Sequence, residues 1–512
     1  MRLISRLVGA IVILLLTISA GLVLLAQDAN RLKPELEALI AANSDYRVQI
    51  QGDVRWQLFP PLILHVAGLQ GQNAERTIEI ANLELKVDLS AIWQDLDRWR
   101  ISELIVTSAA LHEAERKTLI DHLRLNDFSF GEPAGLTLSV RLPASDAAEP
   151  IDINVTGQVT YNPATESTPQ RVVLQQMQIL SNPVDAQCNA LLTEVLMPAD
   201  TYAARSTIDK SEQDQLLPLD LLRRFEATAQ CNLSRLALQQ ETFTGGTLDA
   251  TNVAGKVDVL MNQPDFFGGT LQAEASIDYT GQPARWAVLP KLDQVETQRL
   301  LDWQNRDPSW AAALQLTGEA TMTGNSRREL LNSLHADNDF TTGQGELDIT
   351  PLKQQLLKIA LLANRTEGVQ GWPENLQYET FVGSWNIRGR NHAVELKLDN
   401  LHIAGDGEYN PFEDQLNMLT HITINEASED SPFRINPMLQ DTPIPVRCKG
   451  PIADPQCRLD EDGAKALIAT ALTGEADNGL RRKLEEKIDE EVPEEFRGVA
   501  RDLLDILGRA LK

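Results

Sequence analysis

Residues 46–67 of the 512-residue chain read YRVQIQGDVRWQLFPPLILHVA, and apolar and polar side chains alternate strictly through the first half of this stretch. The apolar positions are Tyr46, Val48, Ile50, Gly52, Val54, Trp56 and Leu58. A period of two places these residues on one face of an extended chain and the polar ones on the other. The pattern predicts one half-buried strand over 46–58, followed by a kink at Phe59-Pro60-Pro61, because proline cannot donate to a strand ladder.

The same alternation returns along the chain. It is clearest at 151–156, 271–280, 314–323 and 394–399. These stretches are typical of half-buried antiparallel strands with one solvent-exposed polar face and one apolar face. FTGGTLDA at 243–250 also resembles FFGGTLQA at 266–273. Such weak self-similarity indicates an elongated sheet that grows by repeated addition of strand units.

Helical spacing is found in fewer places, between the strand blocks and at the C-terminus. The predicted helices lie at 34–42, 89–99, 327–334, 352–363 and, in two or three pieces, 462–512. Charges are nearly balanced on the polar face of the last segment. This balance favours packing on the end of the sheet over binding to a membrane surface.

The N-terminus contains Leu7–Ala26, a run of twenty residues without a charge. At about 1.5 Å per residue its length matches the hydrocarbon core of a bilayer, which is about 30 Å thick. We therefore predict a transmembrane anchor at 7–26 that follows a cytoplasmic segment at 1–6. A cleaved signal peptide is the alternative, since Arg2 and Arg6 would also begin one. The run exceeds the usual signal core of about 7–15 residues, and Leu24-Leu25-Ala26 is a poor cleavage site.

The four cysteines fall into two pairs, Cys188 with Cys231 and Cys448 with Cys457. The second pair closes RCKGPIADPQC, a loop rich in turn-forming residues. Neither pair has the CxxC spacing of zinc or redox motifs, so we predict two disulfides and a non-reducing compartment. Unpaired, buried thiols are the alternative.

Composition and motifs limit the function classes. The chain has 73 acidic and 46 basic residues, a formal charge of −27 and 43% hydrophobic residues. Such a charge repels polynucleotides, so no nucleic-acid partner is expected. The seven histidines form no HxxxH or HExxH pattern, and the chain has no GxSxG, phosphate-loop or dinucleotide motif. We therefore predict a non-enzyme with no metal and no cofactor.

Several segments, taken in order, resemble the AsmA family of bacterial inner-membrane-anchored periplasmic proteins. They are RLKPELEALIAA, IQGDVRWQLFPPLILHVAGLQ, FFGGTLQAEASIDYTGQPARWAV, LTGEATMTGNSRRELLNSLHADNDFTTGQGELDI, YETFVGSWNIRGRNHAVELKLDNLHIAGDGEYN and IPVRCKGPIADPQC. The resemblance spans essentially the whole chain, although the chain is short for a family whose longer members are proposed to bridge two membranes. It implies a periplasmic body at 27–461 and C-terminal amphipathic helices at 462–512.

The fold implied by the resemblance is mainly β with peripheral helices: a long, curved antiparallel sheet of the repeating β-groove type. The implied role is in the lipid and protein homeostasis of the outer membrane. The sequence alone is compatible with this role, because a sheet whose apolar face is not covered by protein can bind acyl chains there. About 25 strands at about 4.8 Å spacing would give a groove on the order of 120 Å long.

We predict that phospholipid acyl chains contact an apolar stripe along this groove. The candidates are Val48, Ile50, Val54, Trp56, Leu58, Leu271, Ile277, Leu314, Leu316 and Leu396. Each could equally be ordinary core, and those near the anchor could pack under the helix at 34–42. Two other function classes remain open at this point: a scaffold for outer-membrane protein assembly that carries no lipid, and an enzyme with a dispersed site.

Overall fold

The computed structural model describes residues 29–43, 46–57, 62–73, 76–87, 100–113, 116–142, 150–165, 168–195, 215–217, 219–306, 309–362, 369–426, 431–435, 440–452, 455–460 and 463. Several predicted features lie outside these residues: the span at 7–26, Leu58 with the kink at 59–61, the helix at 89–99, and the helices of 462–512 apart from Gly463. Within the described ranges, no helix has both the length and the hydropathy needed to cross a membrane.

The described chain is mainly β, as predicted. Twenty-four strands are assigned to one antiparallel sheet, and three short strands form a second sheet. The chain divides into two compact units. Unit 1 comprises 1–209 and 218–264, and unit 2 comprises 210–217 and 265–512.

Unit 1 is a meander in which long strands pair antiparallel with their neighbours in sequence. Its strands are β1 (Arg47–Ile50), β2 (Val54–Gln57), β3 (Leu62–Gln72), β4 (Arg76–Val87), β5 (Ile101–Glu113), β6 (Arg116–Phe128), β7 (Pro133–Leu142), β8 (Ile151–Asn162), β9 (Arg171–Ser181), β10 (Val184–Glu194), β11 (Phe225–Leu238), β12 (Glu241–Phe243), β13 (Gly246–Val253) and most of β14 (Lys256–Phe266). Its helices are a 3₁₀ turn (Ala29–Leu32), α1 (Lys33–Asn43) and α2 (Leu219–Leu222). The helix predicted at 34–42 is confirmed by α1.

The single strand predicted over 46–58 is wrong, because the structure divides it into β1 and β2. Both segments pair with β3, one behind the other. The break lies at Gly52, where a Cβ would come within 2.6 Å of the carbonyl oxygen of Ala67. Opposite the break, Gly68 has a φ of 62°. The close backbone approach and this left-handed residue produce a local irregularity that strict alternation in the sequence does not reveal.

The outer edge of β1 and β2 is hydrogen-bonded to side chains from the N-terminal helical segment. The Ile50 N–H donates to Glu37 Oε1 at 2.7 Å, and the Val54 N–H donates to Asn30 Oδ1 at 3.0 Å. The first strands therefore use the 3₁₀ turn and α1 to satisfy edge groups that would otherwise be open.

Unit 2 is also built mainly from antiparallel strands. Its strands are β15 (Gly269–Asp278), β16 (Arg285–Glu296), β17 (Trp310–Ala311), β18 (Ala313–Thr323), β19 (His335–Thr342), β20 (Gly345–Asp348), β21 (Asn375–Tyr378), β22 (Phe381–Arg388), β23 (Asn391–Leu398), β24 (Leu401–Asn410), β25 (Gln415–Ile424), β26 (Ile444–Gly450) and β27 (Gln456–Leu459). Its helices are α3 (Thr297–Trp303), α4 (Arg327–Asn332), α5 (Thr350–Leu362) and a 3₁₀ turn (Val369–Gly371). Strands β17, β20 and β21 form the small sheet.

Each unit has its own large core. In unit 1, buried side chains from β1 to β7 pack with Leu32 and Leu36 of the helical segment. In unit 2, the core joins β23 to β26 with Leu356 of α5, Trp372 and Phe433. A third, small cluster in unit 1 consists of Met177, Ala186, Cys188 and Leu233.

Both predicted disulfides are confirmed. Cys188 is bonded to Cys231, and Cys448 is bonded to Cys457. In each bond the two cysteines lie directly opposite one another on adjacent antiparallel strands, with Cα atoms 4.1 Å and 4.0 Å apart. The described residues include no free cysteine.

Candidate functional site

One row of apolar side chains in unit 1 crosses six strands and is only partly buried. We call it the first open row; it consists of Val159, Leu174, Ala190, Ala229, Ala250 and Val259. All six are half-buried. The three successive alanines in its middle have smaller side chains than the residues at either end.

Unit 2 has a corresponding row, which crosses seven strands from β15 to β24. We call it the second open row; it consists of Leu271, Leu292, Leu316, Phe340, Gly383, Leu396 and Ile403. Its members are also half-buried. The register continues into Ile422 and Ile444, which are buried in the core that contains α5. The row is therefore half-buried from β15 to β24, where Ile403 already packs against this core, and fully buried beyond.

Glycine in the second open row lets large side chains lie across the face. A Cβ at Gly383 would meet the ring of Phe340 at 2.5 Å and Leu396 Cδ2 at 2.7 Å. These two side chains therefore occupy the space above Gly383. The surface of the row is built from apolar atoms of three neighbouring strands.

The structure separates the predicted lipid-contact residues into groups. Leu271, Leu316 and Leu396 lie in the second open row. Trp56 is half-buried against the core of unit 1, and Leu58 lies outside the described residues. The others are at most 8% exposed: Val48, Ile50, Val54, Ile277 and Leu314.

Val48, Ile50 and Val54 belong to the same buried cluster as Leu36 of α1. They therefore pack under α1, which is the alternative that the sequence analysis left open for these residues. A lipid contact at these positions stays a prediction, with no exposed surface to support it.

A polar group interrupts the apolar face beside the second open row. Trp385 is 42% exposed and its Nε1–H donates to Nδ1 of His392 at 3.1 Å. The Asn338 amide donates to the carbonyl oxygen of Trp385 at 3.3 Å. His392 is only 9% exposed, and burial lowers the pKa of its imidazole below the usual range. Sequence reasoning missed this group, although Trp385 and His392 both occupy the apolar phase of alternating strands.

No group of three or more His, Cys, Asp or Glu side chains in the described part of the chain could hold a metal ion. The candidate surface consists of the apolar rows and the polar group at Trp385. Such a surface can bind hydrocarbon and, at Trp385 and His392, a hydrogen-bonding group.

The fold and these rows define a class of protein: a meander of antiparallel strands with a partly exposed apolar face. Residues 252–371 match the model of the AsmA family, in agreement with the resemblance found in the sequence. The matching segment includes Leu271, Ile277, Leu314 and Leu316. Comparison with curated proteins and with solved structures gives no match.

Proposed function

We propose that this chain binds phospholipid by its acyl chains along the open rows and helps to move it toward the outer membrane. The observation that carries the proposal is the second open row, in which seven half-buried positions follow one another in register across successive strands. Burial of hydrocarbon contributes about 0.8 kcal/mol per methylene, so two acyl chains on such a surface would be held firmly. AsmA family membership is compatible with this role.

The second open row would also permit a bound acyl chain to move from strand to strand. Most positions of the row are aliphatic, so an acyl chain shifted by one strand meets a similar surface. Strands are spaced by about 4.8 Å, a short step for a flexible chain. The chain would act as a binding surface and carrier without an enzymatic step.

We further propose that Leu7–Ala26 anchors the protein in the inner membrane with the body in the periplasm. The uncharged run supports this, together with the two disulfides, which persist in oxidising compartments. A C-terminal reporter should be active in the periplasm, and the mature chain should retain its N-terminus in the membrane fraction. Recovery of a soluble form that begins between Ala20 and Gln27 would contradict the anchor.

The test of lipid binding places a carboxylate on the second open row. Leu316→Asp should reduce the phospholipid crosslinked to the protein by about tenfold or more, because an unpaired carboxylate among acyl chains is strongly disfavoured. Thr317→Asp is the matched control, since Thr317 is the next residue, is exposed and faces the other side of β18. Leu316 suits this test better than Ile277, where an aspartate would disrupt buried packing.

Protease resistance must show that both variants fold. If folded Leu316→Asp, Thr317→Asp and wild-type protein capture equal amounts of phospholipid, or if none captures any, the lipid-binding proposal fails. A scaffold for outer-membrane protein assembly would then be the better account.

A further inference from the structure

His392 is a buried histidine on the apolar face of unit 2, and its ring is fixed in orientation. Trp385 and Tyr409 contact it from two sides, with ring centroids 5.7 Å and 5.8 Å away. The indole N–H of Trp385 donates to Nδ1. Since an indole nitrogen can only donate, Nδ1 must be the unprotonated nitrogen of the imidazole.

The protonation state of the second ring nitrogen, Nε2, follows from that of Nδ1. Burial lowers the pKa of His392 and so favours the neutral ring, which must then carry its proton on Nε2. Nε2 makes no hydrogen bond to any described residue, although the side chain is only 9% exposed. The apolar face thus contains one N–H donor without a protein acceptor, and because Nε2 is not among the fully enclosed polar atoms of the described residues, a ligand on this face can reach it.

The surroundings of this donor restrict the ligand. Trp385 is 42% exposed beside it, and Val394, directly opposite Trp385 in the register, is half-buried. The Asn338 side chain lies over Gly318 and donates to the Trp385 backbone, so a polar amide supports the position of the indole. A suitable ligand has an uncharged hydrogen-bond acceptor directly joined to hydrocarbon.

We propose that His392 Nε2–H donates to the ester carbonyl of an acyl-linked lipid whose chain lies on Trp385 and the second open row. This inference rests on the lipid binding proposed above and adds a fixed position to it. In the second open row an acyl chain meets only apolar side chains, whereas at His392 the lipid would be held by its linkage. The site would favour ester-linked over ether-linked lipids with the same head group.

The experiment compares two lipids on the full-length protein: dioleoyl phosphatidylethanolamine and its dialkyl ether analogue, which keeps the phosphate but lacks both carbonyls. Binding is measured by native mass spectrometry with the lipids in competition. Wild-type protein should prefer the ester lipid by about fivefold, the usual net effect of one hydrogen bond. His392→Phe should bind both lipids equally, and His392→Gln, which retains an N–H donor, should keep part of the preference.

His421→Phe is the matched control. His421 lies on β25 and faces away from the apolar side of the sheet, so its substitution should leave the preference unchanged. Undiminished binding of the ether lipid by His392→Phe would show that this variant is folded. A wild-type protein that binds both lipids equally, or a His392→Phe variant that keeps the full ester preference, overturns this inference but leaves lipid binding intact. If wild-type protein binds neither lipid, the proposed function fails as well.

Discussion

Two parts of unit 1 share one sequence pattern but differ in what lies on their apolar face. In β1 to β7 the apolar side chains are deeply buried, with Leu85 at 1% and Leu104 at 2% exposure, and Leu32 and Leu36 pack among them. In β8 to β14 the first open row remains half-buried. The comparison shows that alternation identifies the residues that share a face, whereas distant parts of the chain decide whether protein fills it.

The open part of unit 1 also has less core to stabilise it. Its buried cluster has four members, Met177, Ala186, Cys188 and Leu233, one of which is a disulfide cysteine. An open apolar face contributes less burial than a covered one, and a covalent bond across β10 and β11 compensates by restricting the unfolded chain. Three predictions test this contrast.

The largest effect should come from removing the disulfide of the open part. Cys188 and Cys231 are 43 residues apart, and chain entropy predicts that the double substitution to serine lowers the free energy of unfolding by about 4 kcal/mol. The same change at Cys448 and Cys457, which are 9 residues apart, should cost about 2.6 kcal/mol. Urea unfolding combined with limited proteolysis would measure both. A smaller loss at Cys188 than at Cys448 would contradict the compensating role.

A matched pair of truncations compares a covered with an open position. Leu85→Ala should lower the free energy of unfolding by about 3 kcal/mol, because it leaves a cavity among fully buried side chains. Leu316→Ala should cost about 1 kcal/mol, since its side chain is only partly buried in the second open row. Because the two residues lie in different units, hydrogen exchange within each unit is the appropriate measurement. Equal losses would mean that the second row is covered in solution.

The smallest effect is expected from pH. Burial lowers the pKa of His392, so the unfolded state binds a proton more readily than the folded state. The contribution of His392 to the free energy of unfolding of unit 2 should therefore be fully present above the ordinary histidine pKa of about 6.5. It should decrease as the pH falls below that value. His392→Gln should remove this decrease of stability as the pH falls below about 6.5. An unchanged slope would show that His392 is solvated although it is buried in the structure.

Much of the fold could be predicted from the sequence because its signals are local. Alternation located β15, β18 and β23, helical spacing located α1 and α5, and cysteine spacing indicated both disulfides. The break between β1 and β2 could not be predicted, because it depends on the approach of Gly52 to Ala67 on another strand.

The candidate site was less predictable. Leu316 and Ile277 have the same local pattern, but one is half-buried and the other is 6% exposed. Their difference arises from contacts between distant residues, which a single sequence does not record. One available signal was missed: His392 occupies an apolar phase of NHAVELKL, and a polar residue in that phase needs a partner.

The side-chain caps on β1 and β2 have a consequence for assembly. A strand edge with free N–H groups recruits further strands, which leads to domain swapping or to fibrils. Glu37 and Asn30 occupy two such groups at the start of the meander. Another chain would have to displace both side chains before it could add a strand here. The N-terminal helical segment thus stops sheet growth at this edge and protects the chain from self-association.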